Sequence, residues 1–148
     1  MTIFKATSTL FFLLITASLI FAQQTEKTLV KSFNLQGNQV VVLELDGNIE
    51  IKTWSDDIMR VQMTISQENT SEAILKSLIK AGRYNLKSEA AEDGLKIVAP
   101  NLQREVTIRG KLLEDTVSYV VFAPENVLVK KANETSTTSD MTAKGNAL

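Results

Sequence analysis

Alternation of apolar and polar residues is the strongest signal in this sequence, and it predicts β-strands. The clearest run extends over residues 59–66, where apolar and polar side chains alternate for four cycles. Residues 39–45 and 49–52 alternate in the same way. Because successive side chains of a strand point to opposite faces, each segment should bury one face. The turn signals Asp46-Gly47-Asn48 and Ser55-Asp56-Asp57 separate the three segments, so the pattern predicts a three-stranded antiparallel meander.

A change of period after residue 68 predicts one helix, at about residues 70–81. Its apolar stripe consists of Ile74, Leu75, Leu78 and Ile79. Asn69 is the expected N-cap, Glu72 completes a capping-box-like arrangement, and Gly82 should end the helix. A helix of three turns is too short to be stable alone. We therefore expect it to pack across the open face of the sheet.

Strand signals resume after the helix and continue to residue 129. The predicted strands cover residues 83–88, 95–99, 105–109, 116–123 and 127–129. Turn signals lie at Glu92-Asp93-Gly94 and Pro124-Glu125-Asn126. Residues 116–123 are apolar on both faces, which indicates a central strand. The predicted fold class is mainly β: an antiparallel β-meander or stacked hairpins, or the start of a β-solenoid, with one short α-helix packed on it.

The first 22 residues have the pattern of a secretory signal peptide. Lys5 provides the positive charge, residues 10–20 form an apolar stretch, and Ala22 precedes the expected cleavage position. An uncleaved membrane anchor is the alternative, although this eleven-residue stretch is shorter than the ~20 residues that span a bilayer. The ending Phe-Ala-Gln-Gln resembles precursors of secreted proteins in diderm bacteria. We expect an exported chain that is periplasmic, outer-membrane-associated or extracellular in such a bacterium.

The remaining chain divides by composition into three parts. Residues 23–37 are predicted to form an N-terminal arm, residues 38–131 a β-rich domain, and residues 132–148 a polar flexible tail. The last residues of that tail also resemble a turn that enters a further strand. The alternative is therefore that the chain is the front part of a longer β-structure.

The absence of histidine and cysteine narrows the possible chemistry. It excludes Ser-His-Asp and Cys-His catalysis, ordinary zinc or copper sites, disulfides and a lipid-modified cysteine. The formal net charge of −1 argues against nucleic-acid binding by bulk charge. We expect no enzyme, no cofactor, no nucleic-acid partner, and no membrane span once the leader is removed.

Few residues of the β-rich domain are candidates for a functional site. Trp54 should share the exposed sheet face with Glu50 and Lys52. We expect the helix or the N-terminal arm to cover its ring; the alternative is that Trp54, with Glu50 and Lys52, forms a contact site for a protein partner, a sugar or a peptide. Asp115-Thr116-Val117 resembles a bacterial O-glycosylation sequon, which makes Thr116 a candidate for modification.

Two acidic segments are better explained as turns. Asp56 and Asp57 are adjacent carboxylates, but a Ser-Asp-Asp turn accounts for them. Asp46, Asn48 and Glu50 alternate a little like calcium ligands, yet the twelve-residue loop and its closing glutamate are missing. We predict no metal site and no catalytic residue at either place.

Residues 46–61, DGNIEIKTWSDDIMRV, and residues 122–129, FAPENVLV, resemble motifs of an adhesin-like family of secreted bacterial β-proteins of unknown function. The likeness extends roughly from Asn38 to Lys131. It implies stacked β-hairpins or a β-solenoid, an envelope location and no known catalysis. Members of that family continue through glycine-punctuated β-repeats, and none follow residue 131 in this chain.

These observations favour a non-catalytic interaction module of the cell envelope, adhesin-like or an accessory subunit of an outer-membrane assembly. The alternative is a small periplasmic carrier or sensor for an apolar or carbohydrate ligand. It predicts a cavity between sheet and helix, lined by residues such as Met59, Met63, Leu75 and Phe122. A carboxylate-only enzyme would need two facing acids in a cleft, and no spacing here suggests one.

Overall fold

A computed structural model describes residues 24–132 as ten strands and one helix. The predicted leader and nearly all of the predicted tail lie outside the described residues. The strands are β1 Gln24–Phe33, β2 Val40–Glu44, β3 Asn48–Trp54, β4 Met59–Glu68, β5 Lys87–Ala91, β6 Gly94–Val98, β7 Thr107–Ile108, β8 Lys111–Leu112, β9 Asp115–Pro124 and β10 Leu128–Lys131. The helix α1 covers Glu72–Lys80. The prediction of a mainly β fold with one short helix is confirmed.

Two four-stranded sheets enclose one hydrophobic core. Sheet 1 has the order β1-β4-β9-β3, and sheet 2 has the order β10-β2-β6-β5, while β7 and β8 form a separate small hairpin. The inner faces of both sheets contribute to the same cluster of buried apolar side chains. Strand β9 occupies an interior position of sheet 1, as its two apolar faces predicted.

The strand order corrects the predicted meander. β2 and β3 belong to different sheets, and β3 pairs in parallel with β9 instead of with β4. The turn at Asp46-Gly47 carries the chain from one sheet to the other, with Gly47 at φ 126°. A turn signal fixes where the chain changes direction, but it does not select the partner strand. Of the predicted turns, Glu92-Asp93 does connect an antiparallel pair, β5 and β6.

The predicted N-terminal arm is in fact a ten-residue strand, which is a second correction. β1 pairs antiparallel with β4 along its whole length, from Gln24 opposite Glu68 to Phe33 opposite Met59. Lys27 and Lys31 of β1 lie on the same inner face of sheet 1 as the buried residues of β4. The alternation of apolar and polar residues that marks the other strands is therefore broken in β1. The Lys31 ammonium donates a hydrogen bond to the carbonyl oxygen of Leu86 at 2.7 Å.

The helix forms where it was predicted, but its N-cap residue is not the predicted one, and the helix covers less of sheet 1 than expected. Ser71 is the N-cap, and its hydroxyl accepts a bond from the N–H of Ile74. Asn69, the predicted cap, lies two residues earlier with φ 57°. Gly82 ends the helix in a Schellman arrangement, in which the next residue, Arg83, donates to the carbonyl of Leu78.

Sheet 2, and not the helix, provides most of the cover for sheet 1. From α1 only Leu75 is fully buried, whereas β2 and β6 contribute Val41, Leu43, Leu95 and Ile97 to the core. Two predicted strands are also shorter than expected. β5 begins at Lys87, because residues 81–84 form the turn after the helix, and the strand predicted at 105–109 is reduced to β7.

Candidate functional site

An aromatic pair flanked by charged side chains lies on the outer face of sheet 1. The strand register places Lys52 of β3 and Arg60 of β4 on either side of Phe122 of β9, and Trp54 beside Pro124. Glu50 lies two residues before Lys52, on the same face of β3. We call the five residues Glu50, Lys52, Trp54, Arg60 and Phe122 the Trp54 surface. Because β3 and β4 both pair with β9, the sheet itself fixes their positions.

The geometry of the Trp54 surface is that of aromatic rings bracketed by cations. The ring centroids of Trp54 and Phe122 are 5.5 Å apart, at an interplanar angle of 38°. The guanidinium of Arg60 lies 4.7 Å from the Trp54 centroid, and the ammonium of Lys52 lies 6.0 Å from the Phe122 centroid. Lys52 also forms a 3.2 Å ion pair with Glu50. A cation over an exposed aromatic ring contributes about 0.5–1 kcal/mol.

The prediction that Trp54 shares a face with Glu50 and Lys52 agrees with this register. Trp54 is half-buried, and its contacts come from Phe122 and Arg60 on the neighbouring strands. Its indole N–H donates to the carbonyl oxygen of Ile58 at 2.9 Å. The ring is therefore held in place by its own sheet and turn, with Glu50 and Lys52 exposed beside it.

A second constellation, not predicted from the sequence, is a buried polar cluster of Gln67, Arg83, Tyr84 and Asp115. Arg83 Nε forms a 2.7 Å ion pair with Asp115 Oδ2, and both side chains are less than a tenth exposed. Asp115 Oδ1 accepts from Gln67 Nε2 at 2.6 Å and from the Tyr84 hydroxyl at 3.0 Å. Gln67 Nε2 also donates to the Tyr84 oxygen at 2.6 Å.

This buried polar cluster joins three parts of the chain that are distant in sequence. Gln67 lies one residue before the end of β4, Arg83 and Tyr84 follow the helix, and Asp115 begins β9. Arg83 reaches further and donates to the carbonyl oxygen of Arg104 at 2.7 Å. Both carboxylate oxygens of Asp115 are occupied by these bonds, so the arrangement is that of a structural anchor. One signal was present in the sequence: Gln67 occupies the next inward position after Ile65 in the β4 alternation.

Alkaline pH should destabilise the fold through its two tyrosines. Burial raises the pKa of Tyr84 and of Tyr119, and the negative charges of Asp115 and Asp46, respectively, add to the effect. The unfolded chain therefore releases these protons first, from about pH 10. Stability is retained below that pH and falls above it, by up to about 1.4 kcal/mol per pH unit for each tyrosine.

Chemical unfolding between about pH 8 and about pH 11, with tyrosinate absorbance as a second signal, would measure this loss. The chain contains just two tyrosines, so the absorbance reports only these side chains. Tyr119→Phe is the informative variant, because the buried Tyr119 hydroxyl has no hydrogen-bond partner within residues 24–132. This variant should halve the loss of unfolding free energy per pH unit above about pH 10. An unchanged slope would show that Tyr119 does not contribute to the alkaline loss.

The acidic turns show no assembled ligand set. Asp56 and Asp57 lie exposed in the turn between β3 and β4, and Asp46 and Asn48 flank the glycine that leads from sheet 2 to sheet 1. In the part of the chain that the structure describes, no group of three or more aspartate, glutamate, histidine or cysteine residues is arranged to hold a metal ion. Within the same residues, no helix is long and apolar enough to cross a membrane.

Thr116 is exposed on β9, opposite Ser66 of β4. Its neighbours in the candidate sequon are not accessible, because Asp115 belongs to the buried polar cluster and Val117 belongs to the core. A glycosyltransferase that recognises all three residues would therefore have to act before the chain folds.

The four residues suggested for a ligand cavity do not converge. Met59, Met63 and Leu75 are packed in the core, whereas Phe122 lies on the opposite face of sheet 1. A groove of about 660 Å³ lies elsewhere, bordered by Arg83, Asp115 and residues 102–105 and 112–114. It runs along the buried polar cluster and not between the sheet and the helix.

Comparisons with protein-family models, with curated proteins and with solved structures find no match for this chain.

Proposed function

We propose that this protein is a non-catalytic interaction module of the cell envelope, adhesin-like or an accessory subunit of an outer-membrane assembly, which binds a protein partner through the Trp54 surface. The observation that carries the proposal is the Trp54–Phe122 pair with Arg60 and Lys52 above its rings. Export rests on the leader pattern of residues 1–22, and the protein would act in the periplasm, at the outer membrane or outside the cell.

The composition of the Trp54 surface supports this role. Tryptophan and arginine are the residues most enriched among those that carry the energy of protein interfaces. Here both are held in place before binding, Trp54 by its bond to Ile58 and Arg60 by its position over the indole. A partner would therefore order few additional side chains when it binds, which reduces the entropic cost.

The charges of this surface indicate the chemistry of the partner. Lys52 and Arg60 are cationic, and one anion, Glu50, already pairs with Lys52. A complementary protein would present an apolar group to the Trp54–Phe122 rings and a carboxylate towards Arg60. Such an arrangement would speed association by electrostatic attraction and would weaken with added salt.

The test begins with gentle purification from the native envelope, an intact mass and identification of what co-purifies. Wild type is then compared with Trp54→Ala and with Lys52→Glu for binding to the companion protein. We expect the dissociation constant to rise about thirtyfold for Trp54→Ala, as for an interface residue worth about 2 kcal/mol. Lys52→Glu should mainly slow association.

The matched control is Lys87→Glu, which makes the same charge reversal at an exposed position of β5 in sheet 2. It should bind like wild type. A companion that binds all three variants equally would contradict the assignment of the Trp54 surface. A mature species that never associates with another envelope protein would contradict the proposed function itself.

A further inference from the structure

The edge strands of the two sheets are protected unequally. Within residues 24–132, these edge strands are β1 and β3 in sheet 1, and β5 and β10 in sheet 2. β1 carries Lys27 and Lys31 at inner positions, and an inward-pointing charge is a common device against pairing with a further strand. β5 and β10 are short, with five and four residues. β3 has seven residues, and its inner positions, Ile49, Ile51 and Thr53, carry no charge.

Ile51 is the apolar side chain that this edge leaves open. It shares the inner face of sheet 1 with Val121, its register partner on β9, which is fully buried, yet Ile51 is 38% exposed. Thr53, the next inner residue, is exposed as well. A strand added alongside β3 would cover Ile51. It would also provide hydrogen-bond partners for the backbone groups of β3 that point away from β9.

The charges on the outer side of β3 are placed symmetrically about Ile51. Glu50 precedes it and Lys52 follows it, and both charged side chains are about half exposed. If two copies of β3 pair antiparallel around Ile51, Glu50 of each copy lies directly opposite Lys52 of the other. On the inner side, Ile51 then lies opposite Ile51, and Ile49 lies opposite Thr53. Opposite charges and β-branched side chains at directly opposed positions stabilise an antiparallel pair.

The neighbouring registers lose this match. A shift by two residues in one direction opposes Glu50 to Glu50, and in the other direction it opposes Lys52 to Lys52. Like charges at directly opposed positions are destabilising. A shift by one residue places Ile51 opposite a charged residue and joins the inner face of one copy to the outer face of the other, because side chains alternate with period two. The sequence of β3 is therefore complementary to itself when the pairing is centred on Ile51.

We propose that β3 is the interface of a homodimer, in which two copies of this chain pair antiparallel around Ile51 on a twofold axis perpendicular to sheet 1. The two copies of sheet 1 form one continuous sheet of eight strands. Each copy uses the same surface, so the contact closes with two copies and does not extend into a fibre. Because directly opposed residues point to the same face, both Trp54 surfaces lie on one side of the joined sheet. The dimer goes beyond the proposed function and does not depend on it.

Exchanging the two charges tests the register. Protein expressed from the complete sequence is purified from the envelope, and its monomer–dimer equilibrium is measured by sedimentation with no other protein present. Glu50→Lys opposes like charges at both symmetry-related positions and should raise the dissociation constant of the dimer about tenfold. Glu50→Lys combined with Lys52→Glu restores opposite charges and should recover a dissociation constant within about twofold of wild type. Lys87→Glu, a charge reversal on the β5 edge, is the control and should change nothing.

A single cysteine tests the position of the twofold axis, because the chain contains no cysteine of its own. Directly opposed residues of an antiparallel pair have their Cα atoms about 4.5–5.5 Å apart, which is within the reach of a disulfide. Ile51→Cys should therefore form a covalent dimer when it is treated with oxidised glutathione. Val30→Cys, on the opposite edge strand β1, is the control. Val30 is more exposed than Ile51, at 58%, and its cysteine variant should form no covalent dimer under the same conditions.

Two results would overturn the proposal. One is a wild-type protein that sediments as a monomer at every concentration measured. The other is a dimer that the charge exchange weakens as much as Glu50→Lys alone, because another surface or another register would then join the copies. Both results concern the isolated protein. They would leave the binding of a companion protein, measured with Trp54→Ala, unaffected.

Discussion

Asp115→Ala should lower the free energy of unfolding by about 3–5 kcal/mol, because it leaves the Arg83 guanidinium buried without its counter-ion. The same change removes the shared acceptor of Gln67 and Tyr84. Unsatisfied buried donors cost more than the net energy of the bonds that they formed. Guanidinium unfolding with fluorescence of Trp54 would measure the loss.

The combined variant Arg83→Met with Asp115→Leu distinguishes the cost of leaving a buried charge unpaired from the loss of the attraction between Arg83 and Asp115. Replacing both charges by apolar side chains should recover much of the stability, because the cost of the single change comes chiefly from the uncompensated ion. Glu72→Gln, at an exposed i, i+4 ion pair, is the matched control and should change little. If Asp115→Ala proved as mild as Glu72→Gln, the buried polar cluster would not anchor the fold.

Gly47→Ala is expected to be a strongly destabilising change at a turn. Gly47 has φ 126°, and a Cβ atom added there would lie 2.2 Å from the carbonyl oxygen of Val117. The backbone conformation alone costs an alanine about 1–3 kcal/mol, and the clash is with backbone that cannot rotate away. We expect a total loss of at least about 3 kcal/mol, measured by chemical unfolding.

Gly110→Ala is the matched control for this prediction. Gly110 also has a positive φ, 78°, but no atom lies within 4 Å of an added Cβ. It should therefore show the conformational cost alone, about 1–2 kcal/mol. Equal losses for the two variants would mean that β9 shifts to accommodate the new methyl group. The contact between Gly47 and the Val117 carbonyl would then not be tight.

The sequence predicted the elements whose signal is local. Alternation identified the four inner residues of β4 from Met59 to Ile65, and two apolar faces identified β9 as central. Helix α1 follows from its apolar stripe and Gly82, although the cap moved from Asn69 to Ser71, since either polar residue could satisfy the first turn.

Features that depend on distant segments were not predictable in this way. β1 was missed because an edge strand buries little and here carries lysines at inner positions. The pairing of β3 with β9 was missed because a turn signal carries no information about which strand becomes the partner. Of the candidate site, the shared face of Glu50, Lys52 and Trp54 followed from period two alone. That Phe122 and Arg60 lie beside them depends on the pairing of β9 with β3 and β4, which the sequence pattern does not reveal. The buried polar cluster likewise depends on the contact of three segments that are distant in sequence.

The pairing of β2 with β10 has a consequence for the order in which the chain acquires structure. Strands β3 and β4 lack the strand that pairs with both of them, β9, until residues 115–124 have left the ribosome, and β2 lacks one of its neighbours until residue 131 has done so. Long sequence separations between paired strands make folding slow. The polypeptide should therefore complete its two sheets only late in its synthesis.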